Sequence, residues 1–362
     1  MAELRDPTSP VTVWLRETFP HHRPVQAAYR AQAGTARLLP AGEVAGGTQG
    51  AAIDWWLRLL LDPEPSPLLP VHSCLLAGPS PWARAGMQLL VALGAVDEQL
   101  TLHPIDPAAW RARNDPWVAR LCYAFALLVE PMRNPAVVPA SRLSRLTGKR
   151  GPREPLGLAT DDEVADLIAM RDLAVDQLVP AVAGQPALSA PTFEGSADLG
   201  ADADLIVDGL LLDIKAGQGG SPRKDGSRTM SLTRSDLDQL LGYALLDYSD
   251  HYRLQNVGHY LARYGKLITW QLKDLCATLA GRPIDLPETR AAFRRVLRDD
   301  LPAHWAGSGE HEPPPTQDDA KTTIWMELPR EPPRRSPPFL YQHGNHGASR
   351  GPADRPQRPQ QH

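Results

Sequence analysis

An Asp208-Gly209 dipeptide between two short apolar runs is the feature that most constrains the fold of this 362-residue chain. Such a pair favours a two-residue turn between antiparallel strands. Side chains alternate between the two faces of a strand, and in this register both faces of the hairpin are apolar near the turn. One face carries Leu205, Val207, Leu210, Leu212 and Ile214, and the other carries Ile206 and Leu211. A sheet that is apolar on both faces belongs between layers of helices, which predicts an α/β domain.

The same register brings charged residues together beyond the apolar part of the hairpin. Asp204 is expected directly opposite Asp213, and Asp202 opposite Lys215, with all four side chains on one face. Like charges placed opposite each other destabilise a sheet, so we expect a divalent cation to compensate them. The alternative is an exposed hairpin whose acids are balanced by Lys215, but such a hairpin would alternate apolar and polar residues.

Composition limits the classes of protein to which the chain can belong. A hydrophobic fraction of 42% allows a substantial core, and a net charge of −4 argues against an overall coat for nucleic acid but not against a local basic groove. Cys74, Cys122 and Cys276 are far apart in the chain, which favours a reduced cytoplasmic setting and excludes most zinc and iron–sulfur sites. The N-terminus lacks the features of a signal peptide, and no apolar stretch is long enough to span a membrane. We therefore expect a cytoplasmic protein without membrane contacts.

The pattern of apolar residues and prolines divides the chain into four expected regions. Residues 1–45 are expected to form an irregular N-terminal arm, and residues 46–150 a helical region. Residues 151–303 carry helices and strands in the order typical of an α/β core. Residues 304–362 are rich in proline and arginine and poor in apolar residues, which predicts a disordered tail.

Two predicted helices flank the hairpin and carry further candidate residues. The first begins at Thr160-Asp-Asp-Glu163, which has the spacing of a capping box. Glu163 also falls within the apolar arc of this helix, so it is expected either to complete the capping box or to point inward to the site. The second helix carries Gln239 and Tyr243 one turn apart, and therefore on one face.

Taken in order, Asp204, Asp213-Ile-Lys215 and Gln239-Leu-Leu-Gly-Tyr243 resemble the motifs of the PD-(D/E)XK nuclease superfamily, most closely its RecB-like branch. The resemblance covers residues 155–275 and implies a restriction-endonuclease-like mixed sheet flanked by helices, with a helical N-terminal portion. It implies a metal-dependent hydrolase that cleaves phosphodiester bonds in DNA. The implied cofactor is Mg²⁺, with Mn²⁺ as an alternative.

The resemblance also implies a role for each matching residue. Asp204 and Asp213 would be metal ligands, and Lys215 would orient the attacking water or stabilise charge that develops on the phosphate. Gln239 and Tyr243 would contact the substrate or the surroundings of Lys215. These five residues form the expected catalytic set.

The chain departs from this branch in three places, the mildest of which is Ala216-Gly217 after the Asp-x-Lys motif, where a threonine is common. Members usually place an acid on the helix before the hairpin, and Glu163 is the candidate for this third metal ligand. The early helix motif of the branch is altered here to Gly50-Ala-Ala-Ile-Asp54, with aspartate where histidine would be expected. These departures leave a second function open, a catalytically inactive nuclease-like fold that binds DNA or a protein.

Overall fold

The computed structural model describes residues 2–97 and 99–308 of the chain. They form an α/β fold in which a five-stranded mixed sheet lies between two apolar cores. The expected α/β class with a mixed sheet is therefore confirmed. The disordered tail expected over residues 304–362 lies, from residue 309 onward, outside the described residues.

The strands follow one another across the sheet in chain order. Their bounds are β1 Ala187–Ser189, β2 Leu205–Val207, β3 Leu210–Lys215, β4 Asn256–Leu261 and β5 Lys266–Gln271. Strands β3 and β4 are parallel, and the other neighbouring pairs are antiparallel. A parallel pair needs a crossover connection, which here contains a helix.

Helices precede, cross over and follow the sheet. Those before it are α1 Pro10–Thr18, α2 Arg23–Ala33, α3 Gly46–Leu61, α4 Leu68–Leu76, α5 Pro81–Ala92, α6 Pro107–Arg111, α7 Asp115–Arg133, α8 Asp161–Gln177 and α9 Val179–Val182. The crossover helix is α10 Arg234–Leu246, and α11 Leu272–Ala280, α12 Leu286–Arg295 and α13 Leu301–Ser308 follow the last strand. A π-helical segment, Val296–Asp300, joins α12 to α13. Short 3₁₀ helices span Ala2–Arg5, Pro135–Val137, Arg142–Arg145, Pro155–Gly157 and Glu194–Ala197.

The hairpin of β2 and β3 has the predicted register. Leu205 pairs with Leu212, which leaves Asp208 and Gly209 as the two turn residues. Their φ angles are both positive, 45° and 78°, as a type I′ turn requires. Glycine is needed at the second position because a Cβ on Gly209 would lie 2.9 Å from the carbonyl oxygen of Arg253.

The sheet separates two cores, as the apolar residues on both faces predict. One core contains Leu205, Val207 and Leu212 together with residues of α3, α4, α5, α7 and α8. The other contains Ile206 and Leu211 together with residues of α1, α2, α10, α11 and α12. The helical region before the sheet thus shares a core with the strands that carry the candidate site.

Helices α1 and α2 lie within the first 33 residues, which corrects the expectation of an irregular arm there, whereas residues 34–45 contain no helix. Pro10 and Pro24 lie in the first turns of α1 and α2, where proline needs no amide donor and presets the backbone. Val25, Tyr29 and Ala33 recur every four residues along α2 and are buried in the second core. Arginine and glutamine interrupt this short apolar stripe, so the sequence of α2 gives only a weak helical period.

The three cysteines are free thiols, and all are buried. Burial raises the pKa of Cys74 and of Cys276 to about 12, so both thiols stay protonated near neutral pH and are poor nucleophiles. Over residues 2–97 and 99–308, no helix combines the length and apolar character needed to cross a bilayer.

Candidate functional site

Four of the expected catalytic residues are joined by direct contacts at the end of β3. The Nζ atom of Lys215 lies 2.8 Å from Oδ2 of Asp213 and donates a hydrogen bond to Oε1 of Gln239 at 3.2 Å. The Nε2 atom of Gln239 in turn donates to the Tyr243 hydroxyl at 2.8 Å. The two residues from β3 share a strand face, and the two from α10 share a helix face. The structure therefore brings these four side chains together.

Asp204 directly precedes β2 and lies across the hairpin from Asp213. Its Oδ2 accepts a hydrogen bond from the amide of Ile214 at 2.7 Å. Burial raises the pKa of Asp204, and the charge of Arg58 and this hydrogen bond partly offset that effect. The pKa of Asp213 is raised to about 7, first by burial and then by the charge of Asp204, with Lys215 acting in the opposite direction. The two acids are thus close enough to oppose each other's ionisation.

A third acid reaches this cluster from α3. Burial raises the pKa of Asp54 to about 7, against the charge of Arg58 and with the help of the charge of Asp204. The Nη2 atom of Arg58 lies 2.6 Å from Oδ2 of Asp54 and 3.9 Å from Oδ1 of Asp204. The guanidinium of Arg58 therefore contacts both acids. Asp54 is the residue at which the early helix motif departs from the branch, so the sequence marked the position without indicating that it reaches the site.

Glu163 lies away from this cluster, in a buried network of its own. Its carboxylate accepts hydrogen bonds from the Thr160 amide at 2.8 Å, the Tyr123 hydroxyl at 2.8 Å and Nη1 of Arg142 at 2.5 Å. Burial alone would raise the pKa of Glu163, but these donors outweigh it and lower the pKa. The capping box with Thr160 is complete. This geometry favours the capping role of Glu163 and corrects the expectation that it is a metal ligand.

The acidic face ends sooner than the hairpin register suggests. Asp202 pairs with Thr192 instead of lying opposite Lys215, and its Oδ2 is 3.7 Å from Nη2 of Arg133. The Nζ atom of Lys215 has Asp236 as an additional partner, with Oδ1 at 3.1 Å. The chain leaves the ladder before β2, so an extrapolation of the register to Asp202 does not hold.

A buried histidine on β4 completes the surroundings of Asp213, and no sequence motif pointed to it. His259 is the register partner of Asp213 in the parallel pair, with its Nε2 3.5 Å from Oδ2 of that acid. Burial, followed by the charge of Lys215, lowers the pKa of His259 to about 3, so the ring is neutral at pH 7. Its edge packs against the ring of Tyr29, with ring centroids 5.6 Å apart.

The donor set suits a hard divalent cation. Within the described ranges, no group of three or more His, Cys, Asp or Glu side chains has the arrangement of a metal site. Mg²⁺, however, is often held by only one or two carboxylates, with water and substrate phosphate as the other ligands. Asp204 and Asp213 form such a pair, and the raised pKa of each indicates that the folded chain alone does not fully compensate their charges. The residues present therefore fit Mg²⁺ or Mn²⁺.

Comparisons with known proteins found no match for this chain. No family model matches the chain, and no match was found among curated proteins or among solved structures. The similarity to the PD-(D/E)XK superfamily therefore stays an expectation from the motifs.

Proposed function

We propose that the protein is a metal-dependent nuclease that hydrolyses phosphodiester bonds in DNA. The observation that carries this proposal is the contact of Lys215 with Asp213 beside a second acid, Asp204. Phosphodiester hydrolysis needs a held cation, a positioned water and stabilisation of charge on the phosphate. A carboxylate pair with an adjacent lysine supplies all three requirements in one place.

The two hairpin acids, Asp204 and Asp213, would hold the Mg²⁺ or Mn²⁺ ion. When bound, the ion polarises the scissile phosphate and lowers the pKa of a bound water. The chain itself keeps Lys215 charged: burial acts to lower its pKa, but the charges of Asp213 and Asp236 raise it above the usual value. A charged Lys215 is suited to donate hydrogen bonds to an oxygen of the phosphate as negative charge develops there.

The helix α10 fixes the direction of Lys215. Gln239 accepts a hydrogen bond from its ammonium group, and Tyr243 accepts one from the amide of Gln239. The ring of Tyr243 is itself buried and stacked on Phe193, with ring centroids 5.9 Å apart. Gln239 and Tyr243 therefore act in this proposal as positioning residues for Lys215.

An exposed loop next to the site supports DNA as the substrate. The loop between β3 and α10 carries Arg223 and Lys224, both exposed. Basic side chains of this kind contact phosphates without reading sequence. They would attract the DNA backbone next to the carboxylates although the whole chain has a net charge of −4.

A second candidate function is a nuclease-like fold that binds DNA without cutting it. The observation in its favour is Arg58, which lies 2.6 Å from Asp54 and 3.9 Å from Asp204. This guanidinium already supplies positive charge beside one of the two proposed ligands. A site compensated in this way could bind nucleic acid but hold a cation too weakly for catalysis.

Cleavage of plasmid and linear DNA, with Mg²⁺ or with a chelator, separates the two functions. The nuclease proposal predicts cleavage that needs Mg²⁺ and falls at least about 100-fold in Asp213→Asn. The matched control is Asp176→Asn, which makes the same change at an exposed position of α8. Cleavage that survives the chelator or Asp213→Asn would refute the proposal. Salt-sensitive DNA binding without any product would favour the second function.

A further inference from the structure

A pocket of about 400 Å³ lies between the start of α3 and the second half of α7. Asp54 and Arg58 line it, so the pocket is continuous with the acid cluster. Its volume lies within the range of about 300 to 1,000 Å³ that is typical of small-molecule sites. It therefore has room for one nucleotide, and not for a base pair.

The first turn of α3 lines this pocket, and the amide of Ala45 just before it donates to Oε1 of Glu163 at 3.5 Å. The helix begins at Gly46, and Ala45 before it makes no side-chain capping hydrogen bond. The first amide groups of a helix lack partners within the helix, and together they favour an anion. Gly46 and Gly47 line the pocket, and a Cβ at either position would meet no atom within 4 Å. The backbone is thus open to a ligand here.

Arg58 provides an independent indication of an anionic ligand. The side chain is only 2% exposed. Its Nη2 is bound to Asp54, but Nε and Nη1 are buried without a hydrogen-bond partner in the described part of the chain. Buried donors of a charged group are costly when they are unpaired. Arg58 lines the pocket, and its charge with two unpaired donors favours an anion there.

The charged side chains around the pocket balance in number. Asp54 and Glu130 oppose Arg58 and Arg133. Both oxygens of Glu130 already accept hydrogen bonds, one from the Thr48 hydroxyl at 2.6 Å and one from the Ser141 hydroxyl at 3.3 Å. Asp54 is held by Arg58. Within the described residues, the unpaired side-chain groups are therefore two donors of Arg58, Nε and Nη1, and one acceptor, Oδ1 of Asp54, with the more exposed Arg133 beside them.

The remaining wall of the pocket is apolar. It is formed by Ala51, Trp55, Leu69, Ala126, Val129 and Val137. An apolar wall facing a set of phosphate donors matches a ligand with one charged and one flat, weakly polar part. A nucleotide has this composition, since its base can pack on apolar and aromatic side chains.

We propose that this pocket binds one unpaired nucleotide of a DNA strand, with its phosphate at the start of α3 and Arg58 and its base on the apolar wall. The inference rests on the proposed nuclease function and names its substrate class, a strand end or an unpaired stretch. Arg58 contacts both Asp54 and Asp204, so the neighbouring phosphodiester of the same strand would extend towards Asp204.

Binding of a 5′-phosphorylated pentathymidylate, measured by fluorescence anisotropy in chelator, tests the pocket without any cleavage. Gly47→Asp is the informative variant, because aspartate in the first turn stabilises a helix but repels a phosphate. The matched control is Gly47→Asn, which has the same shape without the charge. We expect Gly47→Asp to weaken binding at least about tenfold, and Gly47→Asn less than about threefold. Equal affinities for the two variants would overturn the proposal.

Two further measurements define the ligand and separate the two proposals. Free thymidine monophosphate should bind at least about tenfold more weakly than the oligonucleotide; equal binding would assign the pocket to a free nucleotide and refute a strand substrate. If DNA is cleaved with Mg²⁺ but Gly47→Asp binds and cleaves like the original chain, the pocket proposal alone fails. If the pocket binds the oligonucleotide as described and no DNA is cleaved, the nuclease proposal alone fails.

Discussion

The charge of Asp213 should control how the stability of the metal-free protein depends on pH. Its carboxyl is only 3% exposed, and its pKa is raised from 3.8 to about 7, by burial first and by the charge of Asp204 second. Replacing Asp213 by asparagine keeps the shape of the side chain and removes its charge. The pH dependence of the variant therefore isolates the contribution of this one group.

The direction and size of the effect follow from proton linkage. In the unfolded chain Asp213 ionises near pH 4, and in the folded chain at about 7. Between these values the unfolded state binds fewer protons, so the free energy of unfolding falls as the pH rises. The contribution of the protonated acid to the free energy of unfolding is complete below about pH 4 and is lost above about pH 7. At about 1.4 kcal/mol for each pKa unit, the full difference is about 4 kcal/mol. Because Asp204 ionises more readily once Asp213 is neutral, we expect about 2 to 4 kcal/mol.

His259 acts in the opposite direction and has to be separated from Asp213. Its pKa is lowered to about 3 in the folded chain. The contribution of the neutral ring to the free energy of unfolding is therefore present above about pH 6.5 and is lost as the pH falls towards about 3. The histidine is common to the original chain and the variant. The difference between the two proteins therefore cancels most of its effect.

Urea unfolding in chelator between about pH 4.5 and about pH 8, at constant ionic strength, measures this difference. We expect Asp213→Asn to gain stability relative to the original chain as the pH rises, by about 2 to 4 kcal/mol over this range. The control Asp176→Asn, at an exposed position, should show no such trend. A difference between Asp213→Asn and the original chain that does not change with pH would refute the argument that Asp213 is held in a poorly compensated site.

Three substitutions test other parts of the account. Lys215→Gln should lower the single-turnover rate of DNA cleavage by about 100- to 1,000-fold and should affect DNA affinity less. An unchanged rate would contradict a role of the ammonium group in catalysis. Glu163→Gln should lower the free energy of unfolding by about 2 to 4 kcal/mol, because the buried charge of Arg142 loses its partner. The affinity for Mn²⁺, measured by calorimetry, should not change. Weaker Mn²⁺ binding in the folded variant would restore Glu163 as a ligand. Gly209→Ala should lower the free energy of unfolding by about 1 to 3 kcal/mol, because φ at this position is 78° and a Cβ would lie 2.9 Å from the Arg253 carbonyl oxygen. An unchanged urea midpoint would contradict the turn geometry.

The hairpin was predictable because two local rules agree there. The Asp208-Gly209 pair determines the turn, and strand alternation then assigns every neighbouring side chain to a face. The position of Asp213 relative to Asp204, and the burial of both faces of the hairpin, follow directly. Gln239 and Tyr243 were predictable for a similar reason, since a four-residue spacing on one helix places both on one face.

The rest of the site depends on contacts between distant segments. Asp54 precedes the hairpin by many residues, and nothing in its own neighbourhood indicates that α3 brings it to Asp204. His259 reaches Asp213 only through the parallel register of β3 and β4. Glu163 was correctly placed on the inner side of its helix, but its partners Tyr123 and Arg142 come from other elements. Such long-range pairings leave no periodic pattern in the sequence.

The central claim is that Asp204 and Asp213 together bind a divalent cation. Titration of the purified protein with Mn²⁺, followed by isothermal calorimetry and by electron paramagnetic resonance, tests it most directly. We predict a Mn²⁺ site that Mg²⁺ competes for, with affinity lowered at least about tenfold in Asp204→Asn and in Asp213→Asn, and unchanged in Asp176→Asn. The absence of Mn²⁺ binding, or equal binding in all three variants, would contradict the claim.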